Sequence, residues 1–422
     1  MDDLLFLAHR MPYPPDKGEK IRAYHVLRHL ARTFRIHLGC FADDRNDLKY
    51  AAHLREYCAS VFVAPLDRKL ALARGLAGLA IGGSLSESYF RNARMRHWVA
   101  ETVARVRPAN IFVYCSAMAP YAMPYASSHR VLLDMVDVDS EKFRAYGANA
   151  AWPLSQLYAR EARALFSLER RAAMTFERCF FVSGAEADTF LRAAPEAASR
   201  VGHFQNGVDL NYFDPTRDFA NPFAPESAAI VFTGTMDYRP NVEAVEWFAG
   251  EVFPAVRRTY PNAQFWIVGS NPSPRVARLA RMPGVHMTGR VPDVRPFFAH
   301  AACAVAPLHI ARGLQNKMLE AMAMGKPVVA TPAACQGLSA AAGRDVLLAE
   351  TPPDFAQAVC SILRAGVHDL GVNARLRVEA DYDWGRNLQV LDGYFHQASE
   401  KRSARETMNG RDARTEVMGT AS

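Results

Sequence analysis

One segment near the end of the chain combines a glycine turn, two cations and a carboxylate at the start of a predicted helix. The segment PLHIARGLQNKMLEAMAMGKPVVA spans residues 307–330, and its apolar spacing predicts a helix over Lys317–Met324. The turn and the first helical amides come from Gly313, Leu314, Gln315 and Asn316. Arg312 and Lys317 flank this turn, and Glu320 lies one helical turn further on. The sequence therefore places two positive charges and a carboxylate around one helix N-terminus.

These residue types suit a nucleoside diphosphate. The first amides of a helix are unpaired and its dipole is positive there, so a helix start attracts phosphate. Arg312 and Lys317 add two cations that bind a diphosphate. Glu320 can accept hydrogen bonds from vicinal hydroxyls, such as those of a ribose. The alternative is a surface helix in which Glu320 pairs with Lys317 three residues away.

A second segment, FTGTMDYRPNVEAVEWF at residues 232–248, reads as a strand, a turn and a helix. Gly234 and Thr235 end the strand, and a glycine at this place lets a ligand approach the backbone closely. Arg239 offers a third positive group, and Asn241 is a candidate cap for the helix. The alternative is an ordinary strand–turn–helix connection without a ligand.

The loop after the first strand is a third candidate. The segment from His9 to Ala31 is rich in proline, contains Gly18 and precedes a predicted helix. Its positive charge comes from Lys17, Lys20 and Arg22. The segment lacks the GxGxxG dinucleotide fingerprint, and the chain contains no Walker-type phosphate loop. The loop is predicted to approach a ligand, with an exposed basic loop as the alternative.

Three acids follow a predicted buried strand in LLDMVDVDSEKF, residues 132–143. Asp134, Asp137 and Asp139 are candidates for binding acceptor hydroxyls or a metal. Since no suitably spaced His or Cys completes a metal site, a metal is not expected. The alternative is that Asp139 or Ser140 caps the following helix.

Short apolar runs alternate with helical patterns along the whole chain, which predicts parallel βαβ units. Among the predicted helices are Arg22–Phe34 and Asn241–Tyr260. The predicted strands are residues 4–8, 35–41, 61–64, 110–114, 131–137, 179–183, 228–234, 263–269, 285–289, 302–308, 326–331 and 345–349. The strands fall into two doubly wound halves that meet near residues 202–215, a stretch rich in turn formers. We predict an N-terminal domain over residues 1–205 and a C-terminal domain over 206–380. A late helix is expected at 381–398, packing back toward the N-terminal domain, and a disordered tail at 399–422. Two such sheets are expected to face each other across a ligand-binding cleft.

The composition limits the partners and the compartment. The 422 residues are 50% hydrophobic with a net charge of +7, which weakly favours anionic ligands. The Lys and Arg residues are scattered and partly matched by acids, so a nucleic acid is not the expected partner. None of the seven cysteines forms a CxxC pair, and reduced thiols are expected. With no visible secretory signal or membrane span, a cytoplasmic location is expected.

The segment from Asp67 to Ser84 is both basic and apolar. It is predicted either to cover the sheet as a helix or to rest on a membrane surface. The second alternative implies peripheral contact with the cytoplasmic face of the inner membrane.

The C-terminal half resembles the nucleotide-sugar domain of the family 4 retaining glycosyltransferases, which have the GT-B fold. The motifs, in the family's order, are QNGVDLNYF, FTGTMDYRPN, FWIVGSNP, HMTGRVPDVRPFF and NKMLEAMAMGKPVVAT. The N-terminal segments MPYPPDKGEKIRAYHVLRHLA and FFVSGAEAD are also similar to that family. MDYRPN together with ARGLQNKMLEAMA resembles a bacterial subfamily associated with exopolysaccharide loci that accompany PEP-CTERM/exosortase protein sorting.

The resemblance implies roles for single residues. Glu320 matches the second glutamate of the family's Glu–seven residues–Glu motif, which binds the donor ribose. The first glutamate of that motif, which helps to hold the transferred sugar, is replaced by Arg312. Val291 matches a position that meets the nucleobase through its backbone, and Gly18 matches a glycine loop near the phosphates. Arg312 and Lys317 are then predicted to replace diphosphate cations that other positions supply in the family.

The resulting prediction is transfer of a sugar from a UDP- or GDP-sugar to a hydroxyl of a glycan or lipid-linked glycan, with retention and without an obligatory cofactor. Arg312, Lys317 and Arg239 would stabilise the leaving diphosphate. Asp137 is the candidate for orienting the acceptor. The rival interpretations are a nucleotide-sugar epimerase and a catalytically idle scaffold in a polysaccharide assembly complex.

Overall fold

A computed structural model describes residues 1–15, 18–42, 45–80, 83–311, 313–365 and 368–395. The chain divides into two compact units. The first contains residues 1–205 and the described residues from Leu388 onward, and the second is Asn206–Asn387. Each unit has its own hydrophobic core.

Among the described residues, the first unit has a parallel sheet of seven strands in the order β3-β2-β1-β4-β5-β6-β7. The strands are β1 Asp2–Ala8, β2 Phe34–Ala42, β3 Cys58–Pro65, β4 Asn110–Tyr114, β5 Arg130–Val136, β6 Arg178–Phe181 and β7 Val201–His203. The helices are α1 Gly18–Leu30, α2 Ala51–Leu54, α3 Arg68–Ala80, α4 Leu85–Tyr89, α5 Ala93–Val106, α6 Ala119–Ala122, α7 Asp139–Ala148, α8 Leu154–Thr175 and α9 Gly184–Ala193. Short 3₁₀ turns occupy Arg45–Tyr50, Ser116–Met118, Met123–Tyr125 and Pro195–Arg200.

The second unit has six parallel strands within the described ranges, in the order β10-β9-β8-β11-β12-β13. The strands are β8 Ala228–Thr233, β9 Ala263–Val268, β10 Val285–Gly289, β11 Cys303–Ala306, β12 Val328–Ala330 and β13 Leu347–Leu348. The helices are α10 Arg239–Trp247, α11 Phe253–Thr259, α12 Pro274–Leu279, α13 Arg295–His300, α14 Asn316–Ala323, α15 Pro352–Ala365, α16 His368–Asp381 and α17 Trp384–Asn387.

The apolar runs become central strands because helices cover both faces of each sheet. All five residues of β4 are buried, as are the last five of β1. Neighbouring strands pair in parallel, with Leu4 opposite Asn110 and Ala228 opposite Ala263. Every strand predicted from the sequence is present, whereas the short β7 was not predicted.

The helix predicted over residues 241–260 is interrupted. α10 ends at Trp247, a π-helical turn spans Phe248–Val252, and α11 begins at Phe253. Pro254 is the physical reason, because proline lacks the amide that a continuous helix needs and its ring crowds the preceding turn. The helix predicted over Arg22–Phe34 also ends early, at Leu30, because Phe34 already begins β2.

The described residues after Asn387 pack within the first unit. The Tyr394 ring lies 5.2 Å from that of Phe180, and the Phe395 ring lies 4.9 Å from that of Phe34. His29 Nε2 lies 2.8 Å from Asp392 Oδ1. The predicted disordered tail, residues 399–422, lies outside the described residues.

Candidate functional site

The two candidate ligand segments of the second unit leave from neighbouring strands of one sheet. β8 ends at Thr233 and leads into Gly234, whereas β11 ends at Ala306 and leads toward α14. In the sheet, β8 lies between β9 and β11, so the strand order reverses at this place. Parallel α/β sheets bind ligands at the carboxyl ends of strands at such a reversal. The fold therefore brings together the two segments that the sequence predicted separately.

A hydrogen-bonded bridge joins these segments. Lys317 Nζ donates to Asn241 Oδ1 over 2.7 Å, and Asn241 Nδ2 donates to the carbonyl oxygen of Thr235 over 3.0 Å. The predicted role of Asn241 as a helix cap is wrong, because Tyr238 precedes α10 and Asn241 lies in the first turn, 5% exposed. Asn241 instead positions Lys317, a role that sequence reasoning missed.

Two glycines allow the loops after β8 and β9 to pack against each other. Gly269 has a φ of +159°, and a Cβ there would lie 1.6 Å from the Gly234 carbonyl oxygen. Gly234 has a φ of +157°, and a Cβ there would lie 2.7 Å from Asn241 Nδ2. A side chain at either position would therefore displace the support of the bridge. Gly234 serves this packing, and close approach of a ligand to it remains a prediction.

The start of α14 leaves backbone amides available. Gly313 forms the preceding turn with a φ of +65°, and Leu314 packs on the core. Gln315, the residue that precedes α14, provides no side-chain cap, and its side-chain Nε2 donates to the Gly313 carbonyl over 3.2 Å. The Met318 and Leu319 amides donate to the Gln315 carbonyl, so the amides that can bind an anion are those of Asn316 and Lys317. Arg312 lies outside the described residues.

Lys317 and Glu320 carry the charge of this site. Both keep partial exposure to solvent, while the buried residues of α14 include Met318, Leu319 and Met322. The alternative pairing of Glu320 with Lys317 does not form, and Glu320 has no hydrogen bond or ion pair with any described residue. A ligand that donates hydrogen bonds can therefore reach the carboxylate.

The environment shifts the pKa of both groups toward neutrality. Burial lowers the pKa of Lys317 to about 8, and Glu320 acts against that change. Burial raises the pKa of Glu320 to about 7, with Lys317 again opposing. Keeping both Lys317 and Glu320 charged costs desolvation free energy. Such a cost is typical of sites where a bound ligand supplies the missing charges or hydrogen bonds.

An aromatic and charged cluster lies close to Glu320. The Arg295 guanidinium carbon is 3.7 Å from the Tyr212 ring centroid, and Arg295 Nη2 donates to Asp293 Oδ2 over 2.7 Å. Burial raises the pKa of Tyr212, and the carboxylates of Asp293 and Glu320 act in the same direction. Sequence reasoning missed this cluster. Val291, two residues before Asp293, is partly buried against the core of the same unit.

Arg239 is placed differently from the prediction of a third diphosphate cation. Its side chain is 80% exposed, and Nε donates to Glu243 Oε1 over 2.7 Å. The geometry is that of a surface pair at i,i+4 spacing, so the structure gives no support to Arg239 as part of the site.

In the first unit, two of the three cations of the predicted basic loop, Lys20 and Arg22, are buried and paired, and the third, Lys17, lies outside the described residues. Lys20 Nζ donates to Asp47 Oδ2 over 2.6 Å. Arg22 is fully buried, with Nε 2.7 Å from Asp134 Oδ2 and its guanidinium 3.8 Å from the Phe204 ring centroid. Asp134 is therefore occupied by Arg22 and is no candidate for acceptor hydroxyls or a metal. Gly18 begins α1.

The predicted caps of α7 are also wrong. Val138 precedes the helix and provides no side-chain cap, while Ser140 Oγ donates to Glu169 Oε2 over 2.6 Å. Burial raises the pKa of Glu169 to about 8 and that of Asp139 to about 6. Asp137 is exposed at the carboxyl end of β5, where Val136 adopts a φ of +70°. Asp137 therefore remains accessible, and its role stays a prediction.

No group of three or more potential metal-ligating side chains occurs within the described residues. All seven cysteines are free, and five of them are buried. No described helix has both the length and the apolar character needed to cross a bilayer.

Comparison with known proteins finds a family-model match within the second unit. Residues 227–365, which include the Asn241 bridge, Lys317 and Glu320, match the family model described as Glycosyl transferases group 1. No curated protein matches the chain significantly.

Solved structures resemble most of the chain. HepE from Anabaena in complex with UDP and glucose is 14% identical with a TM-score of 0.66, over 94% of this chain and 100% of that chain. Sucrose-phosphate synthase from Thermosynechococcus elongatus is 16% identical with a TM-score of 0.64, over the same shares. WaaG, a glycosyltransferase involved in lipopolysaccharide biosynthesis, is 14% identical with a TM-score of 0.62, over 92% and 98%. The predicted fold class is confirmed: two parallel α/β sheets with helices, as in GT-B glycosyltransferase structures.

Proposed function

We propose that this protein is a glycosyltransferase that uses a nucleoside diphosphate sugar as donor. The observation that carries the proposal is the arrangement around α14. Lys317 is held by Asn241 beside the uncapped helix start, and Glu320 presents a carboxylate without a hydrogen-bond partner among the described residues. A diphosphate would bind to Lys317 and the helix amides, and the ribose hydroxyls would donate hydrogen bonds to Glu320.

The comparisons support this proposal at the level of the class. The family match spans the segment that contains these residues. The HepE structure is described as a complex with UDP and glucose, which supports a UDP-sugar donor, with a GDP-sugar as the second candidate. WaaG, which the chain also resembles, is a glycosyltransferase involved in lipopolysaccharide biosynthesis.

The chemistry of the reaction follows from charge. When the glycosidic bond to the donor breaks, the leaving diphosphate gains negative charge. Lys317 and the amide dipoles of α14 stabilise that charge in place, without a reorganisation step. In the proposed retaining reaction, the departing phosphate accepts the proton of the acceptor hydroxyl on the same face of the sugar. The protein then needs no nucleophile of its own.

The acceptor is a hydroxyl of a glycan or of a lipid-linked glycan. Asp137, exposed at the carboxyl end of β5, is our candidate for orienting it. Synthesis of exopolysaccharide or another cell-surface glycan, within the subfamily that accompanies PEP-CTERM sorting and at the cytoplasmic face of the membrane, is the proposed setting.

The test begins with calorimetric titration of UDP, GDP and ADP, followed by their sugar conjugates. Selective binding of one nucleotide, lost in the Glu320→Ala variant while the fold is retained, supports the donor site. Product analysis with the selected donor then distinguishes the alternatives. Release or transfer of the sugar indicates a glycosyltransferase, and an epimerised donor indicates an epimerase. A folded protein that binds none of the nucleotides would contradict the proposal.

A further inference from the structure

Tyr212, in the second unit, is held by several contacts and still reaches solvent. The guanidinium carbon of Arg295 lies 3.7 Å from the centroid of its ring, so the cation covers one face. The Tyr212 hydroxyl donates to Asp293 Oδ1 over 3.3 Å, and its carbonyl oxygen accepts from Arg295 Nη1 over 3.1 Å. Tyr212 is nevertheless 40% exposed. These contacts fix the orientation of the ring without burying it.

The support of this ring is itself fixed. The backbone amide and Nε of Arg295 donate to Asp293 Oδ1 over 2.9 and 3.0 Å, and Nη2 donates to Asp293 Oδ2 over 2.7 Å. The positive charge of Arg295 is therefore already paired with a carboxylate. A guanidinium also attracts the negative face of an aromatic ring. The cluster thus presents an aromatic ring to a ligand and no spare cation for a phosphate.

Arg375 connects the segment of Tyr212 with α14. One nitrogen, Nη1, donates to the carbonyl oxygen of Phe213 over 2.7 Å and to that of Ala323 over 2.6 Å. Phe213 follows Tyr212 in the chain. Ala323 is the last residue of α14, about one helical turn after Glu320. The Glu320 carboxylate also acts electrostatically on the Tyr212 hydroxyl, so the two side chains are neighbours.

The loop of Asp293 and Arg295 lies at the same edge of the sheet as the donor segments. This loop follows β10, which ends at Gly289. The Gly289 carbonyl oxygen accepts from the Gly269 amide over 3.2 Å. Gly269 in turn packs against the carbonyl of Gly234. The loops after β8, β9 and β10 are therefore in contact, and the Tyr212 cluster borders the site around α14.

A second exposed tyrosine lies at the other end of this site. Among the described residues of the second unit, Tyr212 and Tyr238 are the exposed large aromatic residues, and Tyr238 is 59% exposed. The Tyr238 carbonyl oxygen accepts from the Asn241 amide over 2.9 Å, and Asn241 binds Lys317. Tyr238 is thus on the side assigned to the diphosphate, whereas Tyr212 is on the side assigned to the ribose.

We propose that the nucleobase of the donor stacks on Tyr212, with Arg295 supporting the ring from the opposite face. The inference rests on the proposed function, because it takes Glu320 as the ribose site. A base is bonded directly to its ribose, so a ribose held at Glu320 brings the base to a neighbouring ring. Every base has a π face, so Tyr212 contributes affinity for uracil and guanine alike.

The test compares ligands with and without a base. UDP, GDP and inorganic pyrophosphate are titrated by calorimetry into the unaltered protein and two variants, Tyr212→Leu and Tyr212→Phe. Tyr212→Leu should lower the affinity for UDP and GDP by roughly ten- to a hundredfold, with pyrophosphate affinity unchanged. Tyr212→Phe keeps the ring and should retain most of the nucleotide affinity. Circular dichroism and thermal unfolding report whether each variant is folded.

The matched control is Tyr146→Leu. Tyr146 is 42% exposed on α7 of the first unit, which is nearly the exposure of Tyr212. Its replacement removes an equally exposed ring outside the unit that holds the donor segments. UDP affinity in this variant should equal that of the unaltered protein.

Saturation-transfer NMR gives a readout that a purely structural role of Tyr212 would not produce. In the unaltered protein, the uracil ring protons of UDP should receive more saturation than the ribose protons. This preference should be lost in Tyr212→Leu and kept in Tyr212→Phe. The measurement on the unaltered protein needs no variant, and uracil protons saturated no more than ribose protons would contradict base stacking.

Two further outcomes would overturn the inference. One is a folded Tyr212→Leu variant with unchanged UDP affinity. The other is an equal loss of UDP and pyrophosphate affinity, because the cluster would then support the whole site and not the base. Failure of the unaltered protein to bind any nucleotide would overturn the proposed function as well. Unaltered UDP binding in both proteins would remove only the role of Tyr212.

Discussion

Two charged sites, one in each unit, differ in whether their charged side chains pair with each other. In the first unit, Arg22 and Asp134 are fully buried and bonded to each other, and Lys20 is paired with Asp47. In the second unit, Lys317 and Glu320 are three residues apart on α14, keep partial exposure and do not pair. The first arrangement is complete without a ligand, whereas the second leaves a carboxylate and helix amides to be satisfied. Incomplete pairing with access to solvent, and not burial of charge alone, indicates the binding site here.

The largest expected effect is on the structural pair. Arg22→Met leaves the buried Asp134 carboxylate without its partner, and we expect a loss of about 3–5 kcal/mol in the free energy of unfolding. Urea denaturation followed by circular dichroism measures this change. In the double variant Arg22→Met with Asp134→Leu, most of that loss should be recovered. A double variant as unstable as the single one would show that the pair is not self-contained.

The corresponding change in the second unit should affect binding and not stability. Lys317→Met removes a charge-assisted hydrogen bond to the diphosphate, worth about 1.5–3 kcal/mol, so nucleotide affinity should fall by roughly ten- to a hundredfold. Calorimetry measures the affinity, and thermal unfolding should show no loss because the desolvation cost of Lys317 disappears. Arg258→Met, an exposed cation on α11, is the control. Unchanged nucleotide affinity in the folded Lys317→Met variant would contradict the proposed difference between the two charged sites.

The pH dependence of nucleotide affinity should report both groups. Protonation of Glu320 below its pKa of about 7 weakens ribose binding, and loss of the Lys317 charge above its pKa of about 8 weakens diphosphate binding. Affinity should therefore be highest between the two values and fall on both sides. In Glu320→Gln the acid limb should disappear and the alkaline limb should remain. Calorimetric titration across the pH range measures both limbs.

When no ligand is bound, the same pKa shifts of Glu320 and Lys317 lower the stability of the fold near neutral pH. The pKa of Glu320 is raised above 4.5, so its stabilising contribution is present in acid and is lost as pH rises through about 7. The pKa of Lys317 is lowered below 10.5, so its contribution is present in alkali and is lost as pH falls through about 8. Near neutral pH both groups oppose folding, and a bound nucleotide should offset that cost.

The smallest losses of nucleotide affinity should come from changing Asn241, which positions Lys317, and Arg239, which lies on the surface. Asn241→Ala removes one neutral partner of Lys317, worth about 1 kcal/mol, and should weaken nucleotide binding by less than tenfold. Arg239→Ala should leave affinity nearly unchanged, since its exposed pair with Glu243 contributes little. Calorimetric measurement of nucleotide affinity in both variants ranks the two effects. An Arg239→Ala effect larger than that of Asn241→Ala would restore Arg239 to the site.

The sequence by itself determined the elements and their order. Apolar runs such as residues 110–114 are long enough for strands and too short for helices, and the intervening helical periodicity requires parallel connections. The spacing of Lys317 and Glu320 within α14 is also local, because residues three apart lie on one side of a helix. The GT-B resemblance and the donor segments could therefore be predicted without tertiary structure.

Only the tertiary structure decided which of the polar residues are available. Arg22 and Asp134 are 112 residues apart, and Asn241 and Lys317 are 76 apart. Local patterns carry no information about such contacts, so a buried structural pair and a site cation look alike in the sequence. The same limit applies to α3, where Gly78 packs against Ser88 of α4 while Leu70 and Leu72 are exposed. Packing between distant segments, and not residue type, separated structural charge from charge available to a ligand.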